Sequence, residues 1–153
     1  MNEHGFVKAV HNHLRKTPDI RIWKINDNYA GGVPDAWYCA PEGRNLWIEY
    51  KYINAPKRDT TIIDVASLLA PLQRQWMVDH VAYGISCAIV IGSESGILMY
   101  SGIEWRIQVT AKTIKNGLKP KDVSLWIANK LMPNDGKVTI RNITDQDKTH
   151  SDR

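Results

Sequence analysis

The spacing of hydrophobic residues predicts a chain that mixes helices and strands. Over residues 2–16 the apolar positions recur every three or four residues, which is the period of an amphipathic helix. Residues 20–25 alternate between apolar and polar side chains and predict a strand. Residues 35–40 and 46–53 predict two more strands that form a hairpin, in whose tight connection Gly43 can adopt a positive φ angle.

The second half of the chain predicts further elements of both kinds. A helix begins near Pro71, which suits a first helical turn, and stops at Gly84. The continuous apolar run over 85–92 predicts a strand that is buried on both faces. The remaining predictions are a strand over 97–100, a further strand within 103–109 and a helix over 120–131, while residues 62–69 are apolar but fit neither pattern.

This order of elements predicts one α/β domain with a mixed central β-sheet flanked by helices. A chain of 153 residues suits a single hydrophobic core. We assign residues 1–141 to the domain and expect the almost wholly polar residues 142–153 to form a flexible tail. No signal peptide and no long apolar run is present, and Cys39 and Cys87 are too few for a disulfide framework, so we expect a cytoplasmic protein without membrane contact.

Composition adds a preference about partners without deciding it. The formal net charge is +4 and the isoelectric point is about 9.1, which fits a polyanionic partner such as DNA. Six Trp and six Tyr stand against one Phe, and aromatic residues with a polar edge suit a core that borders a wet or charged site. The five histidines show no zinc-type spacing.

The strand over 46–53 contains an anomaly. Alternation places Glu49 and Lys51 on one face, between large apolar neighbours on both faces. Burying unpaired charge costs several kcal/mol or more per ion. Either the two residues form an ion pair at a sheet edge, or Glu49 binds a metal cation and Lys51 faces the same site.

The preceding strand strengthens the second interpretation. The hairpin can return Asp35 to the side of Glu49, and two adjacent carboxylates repel each other unless a divalent cation lies between them. Gly31-Gly32 leaves room for a close backbone approach, and Pro34 stiffens the entry to the strand. The alternative is that Asp35 merely forms a turn after Pro34.

Pro34-Asp35 followed in the next strand by Glu49-Tyr50-Lys51 resembles the PD-(D/E)XK nuclease superfamily. The surrounding segments GGVPDAWY, LWIEYK, APLQRQWMVDHVAYG and SCAIVIG resemble its VRR-NUC subgroup and the Holliday-junction resolvase-like nucleases. The likeness covers roughly residues 3–100. It implies a restriction-endonuclease-like core and a hydrolase that cuts DNA phosphodiester bonds.

The resemblance also implies roles for individual residues. Asp35 and Glu49 would bind Mg²⁺, for which Mn²⁺ can substitute, with help from the backbone carbonyl of Tyr50. Lys51 would orient the attacking water or stabilise charge on the phosphate. Glu3 would complete the metal site and Gln73 would lie near it; the alternatives are a favourable charge at a helix start for Glu3 and an exposed helix position for Gln73.

Three functions remain open at this point. The first is an endonuclease for branched or junction DNA, with nicking or site-specific cleavage as the alternative. The resemblance to junction resolvases makes a homodimer one possible assembly. If a phage encodes the enzyme, it would act in the host cytoplasm. The second is an inactive DNA-binding module on the same fold, and the third is an unrelated α/β protein. Candidates for contact with DNA phosphates are Lys57, Arg58 and Arg74, with the lysines over 112–121; each is also compatible with plain solvated surface.

Overall fold

We describe the fold from a computed structural model, which describes residues 1–27 and 29–132. It contains four α-helices, a short 3₁₀ helix and seven strands. In chain order these are α1 (Glu3–Leu14), β1 (Arg21–Lys24), β2 (Ala36–Ala40), β3 (Arg44–Tyr52), β4 (Ile62–Asp64), the 3₁₀ helix (Val65–Leu68), α2 (Pro71–Ala82), β5 (Cys87–Gly92), β6 (Ile97–Ser101), β7 (Gln108–Thr110), α3 (Ala111–Lys115) and α4 (Pro120–Leu131).

Five strands form the central sheet, in the order β1-β2-β3-β5-β6. The β3–β5 pair is parallel and the other pairs are antiparallel. The parallel pair needs a crossover, and the segment that makes it contains β4, the 3₁₀ helix and α2. The predicted α/β fold with a mixed central sheet flanked by helices is confirmed.

The central sheet separates two hydrophobic clusters. On one face, α1 packs against α4, and both contact β3; this cluster includes Phe6, Ile48 and Trp126. On the other face a second cluster includes Met77 of α2 and Ile89 of β5. Every residue of β5 is buried, as its apolar run predicts. β3 therefore has one core on each side.

Local signals fix the ends of several elements where the sequence predicts them. Asn2 caps α1, with its side-chain oxygen accepting a hydrogen bond from the Gly5 amide at 2.9 Å. The hairpin between β2 and β3 turns through Glu42 and Gly43, both with φ near +70° (68° and 71°). Gly84 follows α2 with φ +80°, as expected for a residue that ends a helix.

The structure corrects the expectations for three segments. Residues 62–69 contain the short strand β4 and the 3₁₀ helix. Of the segment 103–109, for which a further strand was predicted, only the last two residues are extended: they begin β7 (Gln108–Thr110), which pairs with β4 in a separate two-stranded sheet. α3 was not predicted, because its five residues are too few to show a helical period. The predicted tail over 142–153 and the domain limit at 141 lie outside the described residues.

Among the described residues, no helix is both long enough and apolar enough to cross a membrane.

Candidate active site

The register of the β2–β3 hairpin brings Asp35 to Glu49. Ala36, the first residue of β2, pairs with Ile48, so Asp35 lies across from Glu49, one position further along. The amide of Tyr50 donates a hydrogen bond of 2.8 Å to Oδ2 of Asp35. The start of β2 thus holds its carboxylate beside β3, as the hairpin prediction required.

Glu49 is the most unusual residue of the site, because its side chain is ionisable and yet its relative exposure is 1%. Oε1 accepts a hydrogen bond of 2.6 Å from Nε2 of Gln73, and Nζ of Lys51 lies 3.2 Å from the same oxygen. Oε2 is buried and has no hydrogen-bond partner among the described residues. One oxygen is thus held in place while the other is left for a further ligand.

Gln73 connects the first turn of α2 to β3. Its Oε1 accepts a hydrogen bond of 2.9 Å from the backbone amide of Ala70, just before the helix, while its Nε2 donates to Glu49. Both ends of the amide are therefore used, which fixes its orientation. The structure brings Asp35, Glu49, Lys51 and Gln73 into one site.

Glu3, the first residue of α1, lies near Asp35. Both residues line a cavity of ≈ 160 Å³, together with His4, Val7, Lys24, Ile25 and Asn26. Glu3 is exposed, and its negative charge is one of the influences that raise the pKa of Glu49. The structure thus places Glu3 near Asp35, at the rim of the site.

The carboxyl pKa values show how strongly the site disfavours negative charge. Burial, followed by the charge of Asp35, raises the pKa of Glu49 from 4.5 to about 7, against the lowering influence of Lys51. Burial also raises the pKa of Asp35, although the Tyr50 amide, Lys51 and Lys24 act in the opposite direction. Two carboxylates here are costly until a cation neutralises them.

The available ligands fit a cation that takes oxygen ligands from few side chains. The carboxylates of Asp35 and Glu49 are suitable donors, and Oε2 of Glu49 has no hydrogen-bond partner among the described residues. Within residues 1–27 and 29–132, no three His, Cys, Asp or Glu side chains cluster closely enough to hold a metal between them. A metal here would therefore need main-chain, water or phosphate oxygens to complete its coordination, which suits Mg²⁺.

A buried chain of hydrogen bonds behind the site was not predicted. Nε2 of His11 lies 2.7 Å from the hydroxyl of Tyr38, which lies 2.5 Å from the hydroxyl of Tyr50. All three residues are buried, and burial lowers the pKa of His11 from 6.5 to about 4. His11 falls four residues after Val7, and this helical spacing was the signal that could have placed it in the core.

The predicted DNA-contact residues lie on the surface or beside another cavity. Lys57 and Arg58 are exposed in the loop after β3, and Arg74 lines a separate cavity of ≈ 370 Å³ next to Trp105 and Arg106. Two lysines of the last third have internal partners: Nζ of Lys115 bonds to Asp59 and to the carbonyl of Lys57, and Nζ of Lys119 donates to the carbonyl of Ser95. These two lysines help to tie the fold together.

The fold is of the mixed α/β class, and one solved structure with which it can be compared is that of Hjc, a Holliday junction resolvase from the archaeal hyperthermophile Archaeoglobus fulgidus. The similarity covers 79% of this chain and 98% of that chain, with 13% sequence identity and a TM-score of 0.49. No model of a protein family matches the chain, and no curated protein matches it. A likeness this distant carries no argument about function, which must rest on the residues of the site.

Proposed function

We propose that the protein is a metal-dependent DNA endonuclease, which hydrolyses phosphodiester bonds and acts on branched or junction DNA. The observation that carries the proposal is Glu49, a buried carboxylate with one oxygen held by Gln73 and Lys51 and the other without a partner in residues 1–27 and 29–132. A second carboxylate, Asp35, lies across from it in the hairpin. A cation that binds both would offset the electrostatic cost of the pair.

Asp35 and Glu49 would hold Mg²⁺ or Mn²⁺, with the Tyr50 carbonyl as a further ligand. When bound, such a metal supplies Lewis-acid stabilisation of charge on the phosphate and lowers the pKa of water. The choice of DNA and of branched substrates draws on the resemblance of Pro34-Asp35 and Glu49-Tyr50-Lys51 to the PD-(D/E)XK nucleases, and the net charge of +4 is compatible with it.

The protein's own residues would share the remaining work. Lys51 is partly exposed, with a side-chain exposure of 25%, so its ammonium group can reach both Glu49 and a phosphate at the surface of the site. There it would stabilise the negative charge that develops on the phosphate. Gln73 would hold Glu49 in the orientation that leaves Oε2 open.

The experiment is cleavage of plasmid, linear, flapped and four-way DNA with and without Mg²⁺ or Mn²⁺. Asp35→Asn, Glu49→Gln and Lys51→Ala should each lower the cleavage rate by on the order of a hundredfold or more. The matched control is Glu42→Gln, which changes an exposed carboxylate at the other end of the same hairpin and should leave the rate unchanged. Equal rates for all five proteins, or cleavage that does not need metal, would refute the proposal.

A further inference from the structure

The sheet face that carries Glu49 also carries a row of tryptophans. Trp23 of β1 pairs with Trp37 of β2, which pairs with Trp47 of β3. Their ring centroids are 6.3 Å and 6.1 Å apart. We call these three residues the tryptophan row. From Trp47 the aromatic contacts continue on α2, through Trp76 at 5.4 Å and His80, which stacks on Trp76 at 3.7 Å.

The tryptophan row runs beside the carboxylates. Trp47 precedes Glu49 by two residues and Trp37 follows Asp35 by two, and positions two apart in a strand share a face. The separation along the strand is therefore about 7 Å, from a rise of roughly 3.3 Å per residue. A ligand group bound on the tryptophan row would therefore lie next to the carboxylates of the proposed cleavage site.

Packing does not account for the outer end of the row. Trp47 and Trp76 pack against the second hydrophobic cluster. Trp23 is 63% exposed and Trp37 is partly exposed, and neither packs against a hydrophobic cluster of the described residues. Large exposed aromatic surface of this kind is typical of binding sites.

Charge near the row favours a nucleic acid over an apolar partner. Arg21 precedes Trp23 by two residues on the same face, is exposed, and has no ion pair within the part of the chain that the structure describes. Lys51 lies on the same face beyond Glu49. A basic side chain thus lies at each end of the surface formed by the tryptophan row and the carboxylates: Arg21 at one end and Lys51 at the other. Proteins that bind unpaired bases combine aromatic faces with basic residues in this way.

We infer that the tryptophan row is a stacking surface for unpaired nucleobases, which guides the single-stranded part of a flapped or branched DNA to the carboxylates. This inference rests on the proposed function and adds the substrate feature that is recognised. In intact duplex the faces of the bases are stacked on each other, so the row can engage only bases that lie outside the duplex stack. Recognition would therefore depend on DNA structure and tolerate any sequence.

The test measures binding without cleavage. One labelled oligonucleotide is presented as a single strand, as a flapped duplex and as a blunt duplex to the protein in metal-free buffer, and binding is followed by fluorescence anisotropy. Trp23→Ala should weaken binding of the single strand and the flap about tenfold and leave blunt duplex unchanged. Trp23→Phe should restore most of the loss, because it keeps an aromatic face.

The matched control is Leu125→Ala, which removes a large exposed side chain (41%) from α4 on the other face of the sheet and should not alter binding. Equal affinity of Trp23→Ala and the unaltered protein for unpaired DNA would overturn the inference. A loss of binding that accompanies a change from dimer to monomer on gel filtration would also overturn it, because Trp23 would then act through a subunit interface. In both cases, metal-dependent cleavage that Asp35→Asn abolishes would still support the proposed nuclease function. The two proposals can therefore be refuted independently. Stacking without any cleavage would instead sustain the inference and refute the nuclease.

Discussion

At the scale of single residues, Glu49 combines burial and charge in a way that weakens the fold. Its carboxylate lies in a strand with a hydrophobic core on each face, and burial together with Asp35 raises its pKa to about 7. Gln73 and Lys51 satisfy one oxygen, and the other has no hydrogen-bond partner in the part of the chain that the structure describes. Buried polar groups that lower the stability of the fold are typical of binding and catalytic sites.

Gln73→Ala tests whether orientation of Glu49 matters for function. Loss of the amide frees the carboxylate to rotate and removes the bond to the Ala70 amide. We expect kcat for DNA cleavage to fall about tenfold with KM nearly unchanged, because a positioning role acts on the chemical step. The free energy of unfolding should fall by about 1 kcal/mol.

The control for this prediction is Gln75→Ala, two residues along the same helix. Gln75 is exposed, and among the described residues its side chain bonds only to Asp79, at 2.7 Å, so its loss should leave kcat unchanged. A similar kcat for the two variants would show that the contact between Gln73 and Glu49 has no part in cleavage.

At the scale of elements, the loop before β2 fits closely against the start of α2. Gly32 has φ +88°, and a Cβ atom there would lie 2.3 Å from the carbonyl oxygen of Leu72. The predicted close approach of backbone is therefore confirmed at Gly32, where the partner is α2, while a Cβ at Gly31 would meet the side chain of Leu72. Since Asp35 follows this loop and Gln73 follows Leu72, one contact sets the spacing between two parts of the site.

Gly32→Ala should therefore disturb both the fold and the site. The positive φ angle costs about 1 kcal/mol, and displacement of the Leu72 backbone adds about 2 kcal/mol more. We expect urea unfolding to show a loss of about 3 kcal/mol, accompanied by slower DNA cleavage under conditions in which the variant is still folded.

Gly43→Ala separates the two causes. Gly43 also has a positive φ angle, of +71°, but apart from its chain neighbours no described residue lies within 4 Å of the position that a Cβ would occupy. It should cost only the backbone strain, about 1 kcal/mol, and leave cleavage unaffected. If the two variants were equally stable, the contact between the loop and α2 would not matter.

At the scale of the whole molecule, the sequence predicts the order of elements better than the contacts between them. Glu49 and Lys51 are conspicuous because they interrupt an apolar strand, and hairpin geometry is enough to return Asp35 to them. His11 with Tyr38, and Trp23 with Trp37, are contacts across elements, set by the register of strands and by the packing of α1. Local periodicity carries no information about such pairings, nor about the pairing of β7 with β4 in a separate sheet.

Two buried side chains, those of His11 and Glu49, make the stability of the fold depend on pH in opposite directions. Burial lowers the pKa of His11 from 6.5 to about 4, so the stability that its neutral form contributes is complete above 6.5 and is lost as pH falls toward 4. The pKa of Glu49 rises from 4.5 to about 7, so its contribution is complete below 4.5 and is lost as pH rises toward 7. Each full shift corresponds to about 3 kcal/mol.

In metal-free protein these two changes oppose each other between pH 4.5 and 6.5, and the raised pKa of Asp35 acts in the same direction as that of Glu49. Glu49→Gln removes one of them, so its free energy of unfolding should rise by about 2 kcal/mol across this window, and it should exceed that of the unaltered protein above pH 7. His11→Gln should show the reverse slope. Urea unfolding at a series of pH values in the presence of a chelator measures all three curves. Parallel curves would mean that Glu49 is already charged and solvated in the fold, and the electrostatic argument for a cation beside it would then fail.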